Sequence, residues 1–120
     1  MRSLLLVAHG SRREASNEEV RNLAASLAEL AGTRFGYVAC AFLEIAEPSI
    51  GDGIEAALAS GTREIVVLPY FLSAGRHVVT DIPAEVERKR REHPDARITI
   101  APYLGQGDGI TRVLLDLSER

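Results

Sequence analysis

Apolar residues fall in two rhythms along the chain. Residues 4–8 and 65–68 are continuous apolar runs, with shorter ones at 37–42 and 98–101. Runs of this length without polar alternation predict strands buried on both faces. Between them the period becomes that of a helix. Val20, Leu23, Ala24, Leu27 and Leu30 share one stripe, Ile50, Ile54, Ala57 and Leu58 a second, and a last segment carries Ile110, Val113, Leu114 and Leu117. Ser49 with Asp52 is a start signal for the second helix, and Gly61 stands where a left-handed cap is wanted. A third helix is expected to open near Asp81, with Pro83 in its first turn, and to stop before Pro94.

Strand and helix thus alternate along the whole chain. That order predicts an α/β protein: a single-domain, three-layer fold with a four-stranded parallel sheet, helices on both faces and right-handed crossovers. The commonest winding for so few units is the strand order 2-1-3-4. Strands 1 and 3 are then neighbours at the point where the winding reverses, and ligands of open α/β sheets bind there, beyond the carboxyl ends of the strands.

Composition narrows the reading. With 120 residues the chain is sized for one domain, 1–120. A net charge of −3 gives no general attraction to nucleic acid or to an anionic membrane, so an anionic ligand has to be held by local groups. The opening apolar run is far shorter than the roughly 20 residues that span a bilayer and lacks the form of a signal peptide, so a cytoplasmic protein is expected. Cys40 is the only cysteine, which excludes an internal disulfide and a Cys-x-x-Cys site. It is expected to be a small buried apolar residue.

Two of the three histidines lie on predicted loops at the ligand edge. His9 follows the first strand in His9-Gly10-Ser11-Arg12-Arg13, and His77 closes the loop 69–77 after the third. Neutral imidazole is a good ligand for iron, cobalt, nickel and zinc, and two imidazoles leave coordination positions open for exchange. Glu44, just past the second strand, is the best placed carboxylate to accept protons beside such an ion; Glu47 is the weaker candidate, suited to the positive end of the second helix. Gly10, Ser11, Arg12, Arg13, Ser73, Ala74, Gly75 and Arg76 offer backbone donors, hydroxyls and guanidinium groups for a carboxylate-rich ligand. Neither loop carries a dinucleotide fingerprint or a P-loop, so nucleotide binding is not expected. His93 reads as a solvated residue at a helix end. The run Arg88-Lys89-Arg90-Arg91 reads as a solvated helix face, supported by Glu85–Lys89 and Glu87–Arg91 pairs.

At these same residues the chain resembles the small sirohydrochlorin chelatases, the cobaltochelatases and ferrochelatases of CbiX and SirB type. Their His-Gly-Ser-Arg motif appears as His9 to Arg12, their acidic segment resembles Phe42-Leu43-Glu44 through Pro48-Ser49-Ile50, and their second histidine motif resembles Pro69 to His77 with Asp81-Ile82-Pro83. The resemblance implies a chelatase-like fold in which His9 and His77 bind the metal and Glu44 assists. It implies ATP-independent insertion of cobalt, iron or nickel into sirohydrochlorin or a related tetrapyrrole, as in cobalamin and siroheme biosynthesis. The metal is then a substrate, with no permanent cofactor, and the short chain works as a homodimer. Insertion also removes pyrrole protons, which gives Glu44 its task.

Two rivals remain. A metal or tetrapyrrole carrier would present the same ligands and arginines but would have little need of a base. A histidine phosphatase would place an arginine immediately before the first histidine, where this chain has Ala8.

Overall fold

The computed structural model describes all of residues 1–120. Its main elements run β1 (Arg2–Ala8), α1 (Glu14–Ala31), β2 (Tyr37–Phe42), α2 (Ile50–Ala59), β3 (Glu64–Pro69), α3 (Ile82–Glu92), β4 (Arg97–Ile100) and α4 (Ile110–Ser118). The strands form one parallel sheet in the order β2-β1-β3-β4. Strand β1 is therefore central. It pairs Leu6 with Cys40 on one side and with Leu68 on the other, and residues 3–8 are buried throughout.

Alternation along the strands splits the core into two layers. Leu5 and Val7 of β1, with Val67 of β3 and Ile98 of β4, face α2 and α3 and pack on Ile54, Leu58, Ile82 and Val86. Leu6 and Ala8 face α1, where they meet Ala24, Cys40 and Phe42. Ser49 accepts a hydrogen bond from the Asp52 amide at 3.1 Å, so the predicted start of α2 is a genuine side-chain cap. Gly61, at φ +104, ends the same segment. Cys40 is buried as expected, and burial raises its thiol pKa.

The expectation of helices on both faces holds for α1, α2 and α3. Helix α4 differs: no residue of it is buried, and the short 3₁₀ turn before it (Leu104–Gln106) is its main packing partner. The apolar spacing identified a helix correctly without saying what covers it.

Two surface readings are corrected. Lys89 is 8% exposed, because α3 packs across α2 and turns this side chain inward. Its ammonium sits 2.8 Å from both Glu55 and Glu92, so the anticipated Glu85–Lys89 pair is not made. Glu85 pairs with Arg88 instead, whereas Arg91 does reach Glu87. Nor is His93 simply solvated, since its Nε2 lies 2.8 Å from the same Glu55 carboxylate. Hydrogen bonds from Lys89, and for Glu55 also from His93, hold Glu55 and Glu92 below the ordinary carboxylate pKa. Depressed carboxylates stabilise the fold above their ordinary pKa, and this contribution is lost as pH falls through the lowered values. Glu55→Gln is therefore expected to lower the melting temperature at pH 7 and to narrow its gap from the parent below about pH 4, in melting curves recorded across that range.

Candidate metal-handling site

The site begins where β1 and β2 leave the sheet. The Leu43 amide donates to the Ala8 carbonyl at 3.0 Å, and the Glu44 amide to the His9 carbonyl at 3.1 Å. The two chains thus stay in register one residue past the sheet and deliver His9 and Glu44 side by side. His9 Nε2 lies 3.0 Å from Glu44 Oε2. Gly10 permits this approach: at φ +97 it turns the chain against Glu44, and a Cβ there would fall 1.9 Å from the Glu44 carbonyl oxygen. Ile45, a β-branched residue held at φ +72, completes the turn on the other side. Such a residue in the left-handed region marks strain, which proteins tend to store at functional loops.

The next turn is clamped from below. Asn17, 2% exposed in α1, accepts from the Ser11 amide at 2.9 Å and donates to the Ser11 carbonyl at 2.8 Å. The sequence reading passed over Asn17, because a polar residue early in an amphipathic helix looks like surface. Its one signal was a position on the same helical face as Val20 and Ala24, where solvent is not expected.

His77 arrives from the other side. It does not close a loop, as expected, but opens a π-turn (His77–Asp81) that runs without a break into α3. The third helical segment therefore begins four residues before the predicted point near Asp81. The Gly75 carbonyl accepts from Val78 and Val79, and the Ile82 amide reaches back to the His77 carbonyl. The wide turn sets His77 against Asp81, with Nδ1 to Oδ2 at 2.8 Å. That assigns the Nδ1 proton to the carboxylate bond and leaves Nε2 for a ligand. Asp81 was recognised only as a helix start and a motif member; the His-x-x-x-Asp spacing was the clue to its contact with His77.

The rings of His9 and His77 lie with centroids 4.6 Å apart and planes tilted by 32°, and Phe71 backs His77 at 6.0 Å. Both imidazoles are partly exposed, at 47% and 39%, so an ion can reach them. A hollow of about 300 Å³ on the α3 side is lined by Glu44, Ser49, His77 and Asp81. Another of about 490 Å³ on the α1 side is lined by His9, Gly10, Ser11 and Tyr70. The histidine pair thus bridges two adjoining hollows. Of the suggested ligand-holding residues, Gly10 and Ser11 line the second. Arg12, Arg13, Ser73, Ala74, Gly75 and Arg76 stand exposed on the surrounding loops and line neither. Glu47 is also outside both, and its carbonyl accepts from Arg21 at 3.3 Å.

A second set of donor atoms, from Glu55, Glu92 and His93, lies close enough together to hold a cation. The Lys89 ammonium already stands there, bonded to both carboxylates.

Two facing imidazoles and a carboxylate thus meet at the switch edge of a doubly wound, parallel α/β sheet. The CbiX family model matches residues 3–120, and the chain belongs to that family. It is 34% identical over 113 residues to the chloroplastic sirohydrochlorin ferrochelatase of Arabidopsis thaliana, a match covering 94% of this chain and 49% of that protein. It is 33% identical over 120 residues to the sirohydrochlorin cobaltochelatase of Sulfolobus acidocaldarius, covering 100% of this chain and 92% of that one. The crystal structure of the sirohydrochlorin chelatase SirB from Bacillus subtilis subspecies spizizenii in complex with cobalt superposes with a TM-score of 0.79 at 28% identity, covering 98% of this chain and 50% of SirB. The chain spans about half the length of the chloroplast relative and of SirB.

Proposed function

We propose that the protein inserts a divalent metal, cobalt or iron and by extension nickel, into sirohydrochlorin or a related tetrapyrrole, without ATP and without a permanent cofactor. One observation carries the proposal: the His9 and His77 rings stand 4.6 Å apart while Glu44 touches His9 at 3.0 Å. The names of the relatives, ferrochelatase and cobaltochelatase acting on sirohydrochlorin, favour this reading over the others. No helix is long and apolar enough to cross a membrane.

In this reading the metal is a substrate held loosely by two imidazoles. Its arrival displaces the Glu44 contact from His9, since one nitrogen lone pair cannot serve both a proton and a metal. The Nε2 proton of His9 moves to Nδ1 by exchange with water, and the freed carboxylate beside the ion accepts the two pyrrole protons one at a time, passing each to solvent before it takes the next. Glu44→Gln is expected to lower turnover about 10²–10⁴-fold, the usual contribution of a placed general base. Cobalt binding, measured by titration, should change little. Full turnover in Glu44→Gln would remove this carboxylate from the reaction, whereas a parent protein that binds cobalt but does not speed metallation would favour a carrier.

Asp81 acts through His77. A carboxylate on the far nitrogen of a metal-binding histidine is worth about 10–100-fold in metal affinity. Asp81→Ala is expected to weaken cobalt binding by that factor and to move the ¹⁵N shifts of His77 toward a mixture of tautomers; unchanged shifts would remove Asp81 from the site.

The flat macrocycle is larger than either hollow, so we also propose that two copies of the chain enclose it about a two-fold axis.

A further inference from the structure

Helix α4 is amphipathic yet lacks a partner: Val113, Leu114 and Leu117 are each at least half exposed, as is Leu115 beside them. The same chain leaves an apolar groove open on the α1 face of its sheet. About 290 Å³ in volume, the groove is lined by Leu6 of β1, Leu68 of β3, and Leu23, Leu27 and Leu30 of α1, with Tyr70 at one end. Leu30 is 76% exposed and Leu23 40%. This is the face on which a helix following β4 belongs in a doubly wound sheet, because α2 and α3 already cover the other. Helix and groove are therefore complementary, and both are uncovered.

The chain's own path keeps them apart. After β4, the Gly105 amide donates to the Phe71 carbonyl at 3.0 Å, and Gly105 presses so closely on Leu72 that a Cβ would fall 2.0 Å from its carbonyl oxygen. The turn is thereby fixed to the loop after β3, and Leu104 from that turn takes up one end of the groove. Helix α4 starts beyond this anchor and leaves the body of the domain.

We infer that α4 of one copy docks in the α1 groove of a second copy, with the exchange made reciprocally about a two-fold axis. This rests on the proposal that the protein acts as a pair, and adds which surface joins the copies. Exchange of an identical element is a low-cost route to a dimer, since each copy fills a place its own fold has already shaped. The area is sufficient. If the exposed parts of Leu23, Leu30 and Tyr70 on one side and of Val113, Leu114 and Leu117 on the other lose contact with water at both sites, the interface approaches the roughly 800 Å² per partner of a standard stable complex. The groove also shares Tyr70 with the hollow that holds His9, so a docked helix would border the site.

The test uses the full chain in a Cys40→Ser background. One preparation carries Leu27→Cys in the groove and another Leu114→Cys on α4; they are mixed, allowed to exchange and treated with a short bis-maleimide. Covalent dimers joining the two variants are the expected result. A chain carrying both cysteines that cross-links only to itself would show that α4 folds onto its own groove, and would overturn the exchange. Light scattering supplies the second measurement. Leu114→Asp is expected to halve the solution mass while leaving the circular dichroism of the body intact. A mass that stays dimeric in this variant overturns the exchange but not the pairing, whereas a monomeric parent overturns both. Metallation assays on the same samples keep these outcomes separate from the fate of the proposed activity.

Discussion

His77→Ala is expected to cost at least about a hundredfold in both cobalt affinity and kcat/KM for metallation, while the melting temperature stays within a few degrees of the parent. The two parts of the result follow from different features. The ring of His77 is partly exposed and lies in neither core layer, so its removal takes little from the hydrophobic stabilisation. Its Nε2 is, however, the only atom that the π-turn and Asp81 together prepare for a ligand. His9→Ala should behave alike in affinity, with one difference: it leaves Glu44 without its imidazole partner and able to meet cations directly. Residual weak binding is therefore expected to be greater in His9→Ala than in His77→Ala. Titration of each variant with cobalt, followed by absorbance of the sirohydrochlorin product, checks both. Either variant turning over like the parent would show that its imidazole does not handle the ion.

Much of this arrangement was readable from residue order because the fold is built from strong local signals. The continuous runs at 4–8 and 65–68 read as strands, which they are, although only β1 is buried on both faces and β3 is buried at alternate residues, and alternation with helices then left few windings to choose from. His9 and Glu44 were legible for the same reason: they lie one and two residues past the ends of β1 and β2, and parallel register carries them to one edge. His77 was harder. Its position at the edge was inferable, but the π-turn that orients it was not, since insertion of one extra residue per turn leaves no periodic mark in so short a segment. Long-range polar contacts were harder still. Glu55 and Lys89 are 34 residues apart, and Lys89 had a satisfactory partner available at Glu85 within its own helix. Only the packing of α2 on α3 decides between them. The destination of α4 lay outside local pattern altogether, because an amphipathic stripe records that a surface is covered, not which chain covers it.

Gly10→Ala is expected to destabilise the protein by about 2–4 kcal/mol, combining the cost of a positive φ with that of overpacking against backbone. For a domain of this size the melting temperature should fall by roughly 10 °C or more. Gly61→Ala separates the two contributions. Gly61 has nearly the same backbone angle, φ +104 against +97, but a Cβ there meets nothing within 4 Å. It should show the conformational penalty alone, about 1–2 kcal/mol. At Gly10 the new methyl would meet the Glu44 carbonyl, a backbone group that cannot swing aside, so the β2–α2 loop has to move. Movement there breaks the bond from the Glu44 amide to the His9 carbonyl and draws the carboxylate away from the imidazole. A displacement of about 1 Å in a placed reacting group can cost on the order of 100-fold in rate. Gly10→Ala is therefore expected to lose activity even at temperatures where it is fully folded, whereas Gly61→Ala should keep it. Equal melting temperatures and equal turnover in the two variants would show that the close approach of the two loops is not what holds His9 against Glu44.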